Sequence, residues 1–293
     1  MPRLILALLT GLAMIFTAAC SSSAFFLANL PVTFGDREIH RDISYGPQPW
    51  QKLDIYLPEK TSTPAPVLVF FYGGRWSFGN KAQYAFVAKT FSDAGYVVVL
   101  PDYAKYPQVK FPSFVEDGAK AVAWIYDHIR KYGGDRSRFY LSGHSSGAHM
   151  GALIAVNSDY LQAEGKTTAI ITAFAGLAGP YDFIPEAEDL KDIFGPPANY
   201  PNMQVPTFVD GRQPPMLLLH GADDEQVIQR NLNRLRAKIE STGGIVEARI
   251  YDDVDHIDII GALSWILRDT APVEHDMLAF FDQHAKEQAV VAR

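Results

Sequence analysis

The strongest constraint in this chain is a set of short, continuously apolar runs separated by segments with helical periodicity. Val67-Leu68-Val69-Phe70-Phe71 has no polar position, and a strand apolar at every residue must be covered on both faces. Tyr96–Leu100, stopped by Pro101, and Phe139-Tyr140-Leu141 repeat the pattern. Between these runs, Ala82–Ala94 is helical in pattern and ends at Gly95. Phe114–Lys131 places apolar residues at 115, 119, 122, 125 and 129 on one face and stops at Gly133-Gly134.

The same alternation continues to the C-terminus. Ala169–Ala175, Pro215–His220 and Ile245–Tyr251 read as strands, and Lys52–Leu57 alternates like a half-buried one. Ala148–Val156, Val227–Ile239 (with 228, 232, 235 and 239 on one face) and Val273–His284 read as helices. This order predicts an α/β fold, a mostly parallel central sheet with helices on both faces. Such sheets bind ligands outside the carboxyl ends of their strands. Chemistry is therefore expected in the loops after Phe71, Leu141, Leu219 and Tyr251.

With 293 residues, 48% of them hydrophobic, the chain has material for a sizeable core. No Pro/Ser-rich linker, repeat or low-complexity tract divides it, so residues 40–288 are expected to form a single domain. The net charge of −7 and the scattered Lys and Arg residues argue against a nucleic-acid partner.

Residues 1–19 have the architecture of a signal peptide. Arg3 precedes a largely apolar run, Leu4 to Ala19, that ends in Thr17-Ala18-Ala19 before Cys20 and Ser21-Ser22-Ser23. The segment resembles a bacterial lipoprotein signal, which implies cleavage before Cys20 and lipidation of that residue. It implies an exported, membrane-anchored protein of the periplasm or cell envelope, with residues 20–39 as a membrane-proximal segment. An incidental cysteine behind an ordinary cleaved signal, giving soluble export, and a signal anchor are the competing readings. Phe25-Phe26-Leu27 would touch the bilayer surface or pack back onto the domain. Cys20 is the only cysteine, so no intramolecular disulfide can form.

The four loops hold a coherent set of residues. Gly143-His144-Ser145-Ser146-Gly147 lies between a strand and a helix rich in Gly and Ala, the setting of a nucleophile elbow. Tyr72-Gly73-Gly74-Arg75-Trp76 follows the strand at 67–71, where Gly73, Gly74 and Arg75 can aim backbone N–H groups into a cavity. With the N–H of Ser146 they would make an oxyanion hole; a plain glycine turn is the alternative. Asp223 and Asp224 follow the strand at 215–219, and His256 follows the strand at 245–251. The order Ser145, Asp224, His256 is the one expected for this elbow.

A carboxylate of this cluster could orient the imidazole, while acidic residues here also suit a helix N-terminus, so one of Asp223 and Asp224 would be structural and the other catalytic. His144 and His149 lie too close to Ser145 in sequence to swing over it. His220 reads as structural, and His40, His128, His275 and His284 as surface or helix-face residues. No pair of histidines has metal-ligand spacing, so a zinc hydrolase is disfavoured and no metal is expected.

These motifs resemble the α/β-hydrolase superfamily, in particular its carboxylesterase branch of hormone-sensitive-lipase-like, feruloyl-esterase-like and prenylcysteine-methylesterase-like enzymes. The resemblance covers roughly residues 40–285. Tyr72-Gly73-Gly74-Arg75-Trp76 is similar to an H-G-G-x-W loop, and Asp102-Tyr103 with Tyr106-Pro107 to a D-Y-R-x-x-P segment. Tyr132-Gly133-Gly134-Asp135 and Gly143–His149 resemble Y-G-G-D-P and G-x-S-A-G-A-H. His220-Gly221-x-x-Asp224-x-x-Val227 matches H-G-x-x-D-x-x-V, which selects Asp224 over Asp223. Tyr72, Ala104 and Ser146 depart from those patterns.

The resemblance implies a serine carboxylesterase acting on a small-molecule ester through an acyl-enzyme, without a cofactor. The same triad serves formamidases, thioesterases and lipases, and a non-catalytic binding protein on the same fold is a further class. A lid-like insert is expected near 176–213, in which Tyr181, Phe183 and Phe194 either wall an acyl pocket or pack a small core of the insert. The oligomeric state is left open.

Overall fold

The continuous apolar runs become the inner strands of one sheet. The computed structural model describes residues 24–59 and 64–291. Its strands are β1 (Ile39–Ser44), β2 (Lys52–Tyr56), β3 (Ala65–Phe71), β4 (Val97–Pro101), β5 (Gly134–His144), β6 (Ala173–Leu177), β7 (Met216–Gly221) and β8 (Val246–Tyr251). They lie in the order β1-β2-β4-β3-β5-β6-β7-β8. β2 runs antiparallel to both its neighbours, and every other pairing is parallel.

Helices connect the parallel strands. The ones that matter for the site are α1 (Ala85–Asp93), α2 (Ser113–His128), α3 (Ser146–Val156), α4 (Glu188–Phe194), α5 (Arg230–Ser241) and α6 (Val273–Val291). All eleven residues of α3 are buried, and its Gly and Ala content lets it lie close beneath the sheet. In α2 the predicted stripe holds: Val115, Ala119, Val122 and Ile125, with Ile129 just beyond, are fully buried. This is the α/β-hydrolase fold.

Register brings the site loops together. Phe71 at the end of β3 pairs with Gly143 of β5, and Gly143 pairs with Gly176 of β6. His220 and Gly221 pair with Ile250 and Tyr251, so β7 and β8 also end side by side. The loops after these strands therefore open on one edge of the sheet.

Several elements differ from expectation for identifiable reasons. β1 is absent from the sequence reading because its residues are half-buried or exposed and carry no apolar run. β2 is buried at every residue but Lys52, because β1 covers its outer edge. Its apparent alternation comes from Asp54, a buried carboxylate 2.9 Å from the Lys81 ammonium. β5 starts at Gly134, where only a helix stop was expected, and extends eleven residues to the elbow. α5 starts at Arg230, so Ile228, expected on its buried stripe, is 48% exposed.

The described part of the membrane-proximal segment folds onto the domain. Residues 24–28 are helical, and a second short turn follows at Leu30–Thr33. Asn29 Nδ2 donates to the carbonyls of Ala82 (3.2 Å) and Gln83 (2.9 Å), and its Oδ1 accepts from the Phe86 N–H at 2.7 Å. Phe25 packs its ring against Tyr84. The expected signal segment and Cys20 lie outside the described residues. Among the described residues, no helix is long and apolar enough to cross a membrane.

Candidate active site

Ser145 stands where β5 turns into α3, with φ 54° and ψ −123°. That conformation is costly for a residue with a Cβ and persists only when its surroundings impose it. Here the Ser145 N–H donates to Leu177 O (2.9 Å) and its carbonyl accepts from the His149 N–H (3.1 Å). The turn also needs glycine at its far side. A Cβ on Gly147 would lie 2.1 Å from the Phe71 carbonyl oxygen, which no side chain tolerates.

His256 reaches Ser145 from the loop after β8. Its Nε2 lies 2.9 Å from Ser145 Oγ, and its Nδ1 lies 2.7 Å from Asp224 Oδ2. Asp224 Oδ1 accepts from the N–H groups of Gln226 (2.9 Å) and Val227 (2.8 Å). Burial by itself would raise the Asp224 carboxyl, but hydrogen bonds from His256 and the Val227 amide hold it below its ordinary value. It is therefore an anion able to keep the proton on His256 Nδ1 and leave Nε2 as the acceptor facing Ser145.

Asp224 takes both roles that the sequence reading divided between two acids. Asp223 is exposed, and its backbone N–H donates to Val254 O at 3.0 Å. The structural work of capping the turn falls on Asp224, because its two oxygens face opposite ways.

The loop after β3 packs directly against the nucleophile. A Cβ on Gly73 would lie 3.1 Å from Ser145 Cβ and 3.0 Å from His144 Nδ1. Gly74, Arg75 and Trp76 all have positive φ (139°, 51° and 59°), a conformation stabilised by Ser77 and Phe78 N–H bonds to Gly74 O and by a Tyr106 N–H bond to Trp76 O. The Tyr84 hydroxyl lies 3.5 Å from His144 Nδ1. Ser146 is the first residue of α3, so its N–H has no intrahelical acceptor. The Arg75 side chain turns outward, where Nε and Nη2 pair with Asp189 of α4 at 2.8 and 3.0 Å.

Two contributors were not foreseen. His144 does not swing over Ser145, as its closeness in sequence implies, but its Nε2 donates to the His256 carbonyl at 3.0 Å. Burial and the neighbouring His256 depress its pKa to about 3, so the ring is neutral. Tyr72 donates to Asp102 Oδ1 (2.8 Å), accepts from Lys105 Nζ (2.8 Å) and stacks on Tyr103. These contacts accommodate a tyrosine where the resembling motif has histidine. Only the adjacency of His144 and Ser145 hinted at the first, and nothing in the sequence at the second.

The insert lies over this loop. Trp76 stacks on Phe183 at 5.6 Å and meets Phe194 and His149 edge-on at 4.8 and 5.2 Å. Tyr181 and Phe194 are buried and Phe183 is half-buried, and Phe194 meets Trp76, Phe111 and Phe114 of the main domain rather than a separate core of the insert. His149 Nε2 donates to Met203 O at 2.7 Å and His220 is buried, both as structural residues. His284, expected on a helix face, is buried against Phe280.

Residues 53–239 match the model of the BD-FAE family. The chain is 28% identical over 246 residues to a probable isoprenylcysteine alpha-carbonyl methylesterase, ICMEL1, of Arabidopsis thaliana, covering 75% of this chain and 51% of that protein. It is 30% identical over 285 residues to esterase LipC of Mycobacterium tuberculosis, covering 88% of this chain and 68% of that protein. The chain thus spans about half the length of the plant relative. Among solved structures, esterase B from Lactobacillus rhamnosis superposes with a TM-score of 0.82 at 18% identity, covering 96% of each chain.

Proposed function

The chain belongs to the BD-FAE family, and from that premise we propose that it is a serine carboxylesterase acting on small-molecule esters. The observation that carries this reading is the Ser145–His256–Asp224 relay, with Ser145 held at a strained strand-to-helix turn. His256 Nε2 takes the Ser145 hydroxyl proton as Oγ attacks the ester carbonyl carbon. The N–H groups of Gly74, Arg75 and Ser146 receive the negative charge of the tetrahedral oxygen, aided by the N-terminus of α3. His256 then gives its proton to the departing alcohol. Water repeats the sequence on the acyl-enzyme and frees the acid.

The signal-like segment and Cys20 support a further part of the proposal: the enzyme is exported and held at a membrane by lipid on Cys20. No cofactor is required by these steps.

Fluorophosphonate labelling of the purified protein tests the nucleophile. Label is expected on Ser145 and is expected to vanish in Ser145→Ala, whose turnover falls by about 10⁶. Ester hydrolysis near the wild-type rate by the folded variant would sink the assignment. A panel of esters, thioesters and formamides of graded acyl length then ranks the substrate classes, with carboxylic esters expected first.

A further inference from the structure

Two segments far apart in sequence build one exposed apolar face. Phe26 is 63% exposed on the N-terminal helix, and Trp265 and Ile266 are 54% and 46% exposed on the turn after the His256 loop. Leu27 and Leu267 are exposed beside them. The Trp265 Nε1–H donates to Leu27 O at 3.2 Å, which joins the two segments. Scattered single hydrophobics on a surface need no explanation, whereas a contiguous group with a tryptophan among them marks an interaction site.

We infer that this face docks on the surface of a phospholipid bilayer, the one to which the chain's own N-terminus leads. The inference rests on the reading of Cys20 as the lipid-bearing residue. Asn29 and Phe25 fix residues 25–29 to the domain. Only three residues separate Cys20 from Ala24, a reach of four Cα-to-Cα steps. Fully extended, they span about 14 Å. A lipid on Cys20 therefore brings the face beside Phe26 to the membrane surface. A bare acyl anchor would leave five large apolar side chains in water there.

The chemistry of the face favours apolar insertion over attraction to charged headgroups. Asp93 and Glu274 line the groove between the two segments together with Lys89 and Arg268, so no excess of positive charge faces the headgroups, and the whole chain carries −7. Trp265 and Phe26 suit the headgroup boundary, where an aromatic body is half-immersed and an indole N–H stays hydrogen-bonded. Docking is thus expected on zwitterionic lipid, with little dependence on salt.

The test uses the leaderless chain from residue 20, unacylated, with phosphatidylcholine vesicles. It is expected to float with the vesicles at low and high salt, with a blue shift of tryptophan emission that Trp265→Phe abolishes. The double variant Phe26→Ser/Ile266→Ser is expected to lower partition by about tenfold or more while hydrolysis of a water-soluble ester is unchanged. Absence of partition in the parent chain overturns the inference. So does a dimer that the double variant dissociates, since a second copy would then be the occupant. Acyl labelling of Cys20 in the exported protein is scored separately, so failure of the anchor reading is distinguishable from failure of the docking face.

Discussion

His144 precedes the nucleophile by one residue, yet its ring holds the base from the other side of the site. A carbonyl oxygen can only accept, so the 3.0 Å contact fixes the proton on His144 Nε2 and the backbone of His256 beneath it. His144→Phe leaves that buried carbonyl without a donor, a loss of about 1–3 kcal/mol. Because His256 must be aligned only while the proton moves, the loss is expected in kcat, about tenfold to a hundredfold, with KM unchanged. A glutamine can still donate, so His144→Gln should recover part of the rate. Steady-state kinetics of both variants beside their thermal melts separates positioning from folding. A fall in melting temperature with unchanged kcat would make His144 merely structural.

At the scale of elements, the oxyanion-side loop and the insert are fastened to each other. Arg75 carries a positive φ and its guanidinium forms a two-point pair with Asp189 of α4, while Tyr106 and Lys110 hold Asp192 of the same helix. Arg75 and Asp189 are each 45% exposed, so their pair contributes at most about 1 kcal/mol. Asp189→Asn is therefore expected to leave stability nearly unchanged and to lower kcat/KM by roughly threefold, since the loop sits against Ser145. High salt should reduce the wild-type rate toward that of the variant. Equal salt dependence in both would show that the pair does not govern the loop.

Most of this scaffold was legible in the sequence because buried parallel strands and helical stripes leave periodic signatures. Ser145 was legible from its strand-to-helix setting, and Asp224 and His256 from their places after the strands at 215–219 and 245–251, with the H-G-x-x-D-x-x-V resemblance choosing Asp224 over Asp223. β1 was not legible, since His40, Arg41 and Asp42 interrupt its few apolar residues and leave neither a run nor an alternation. Nor was the dual role of Asp224, which depends on how its two carboxylate oxygens point. The tie between Arg75 and Asp189 joins residues 114 positions apart, a distance that no local pattern encodes.

Across the whole molecule, the same buried histidines that build the site limit its tolerance of acid. Burial lowers His144 to about 3, His149 to about 4, and His220 by a direction of the same sign. In the unfolded chain each returns to an ordinary value near 6.5, so below that pH the unfolded state binds protons that the native state refuses. Stability therefore falls as pH drops through the ordinary histidine value. The loss levels off only where the native rings themselves protonate, near 3 to 4. At about pH 5, His144 and His149 each remove about 2 kcal/mol relative to neutral pH. The depressed carboxyl of Asp224 adds its loss in a lower window, below the ordinary aspartate value. Urea unfolding at neutral pH and at about pH 5 measures the sum. In His149→Gln, which can still donate to Met203 O, the difference between the two pH values should shrink by about 2 kcal/mol. An unchanged difference would mean that His149 takes up its proton in the native state, against the environment that buries it among Trp76, Phe183 and Phe194.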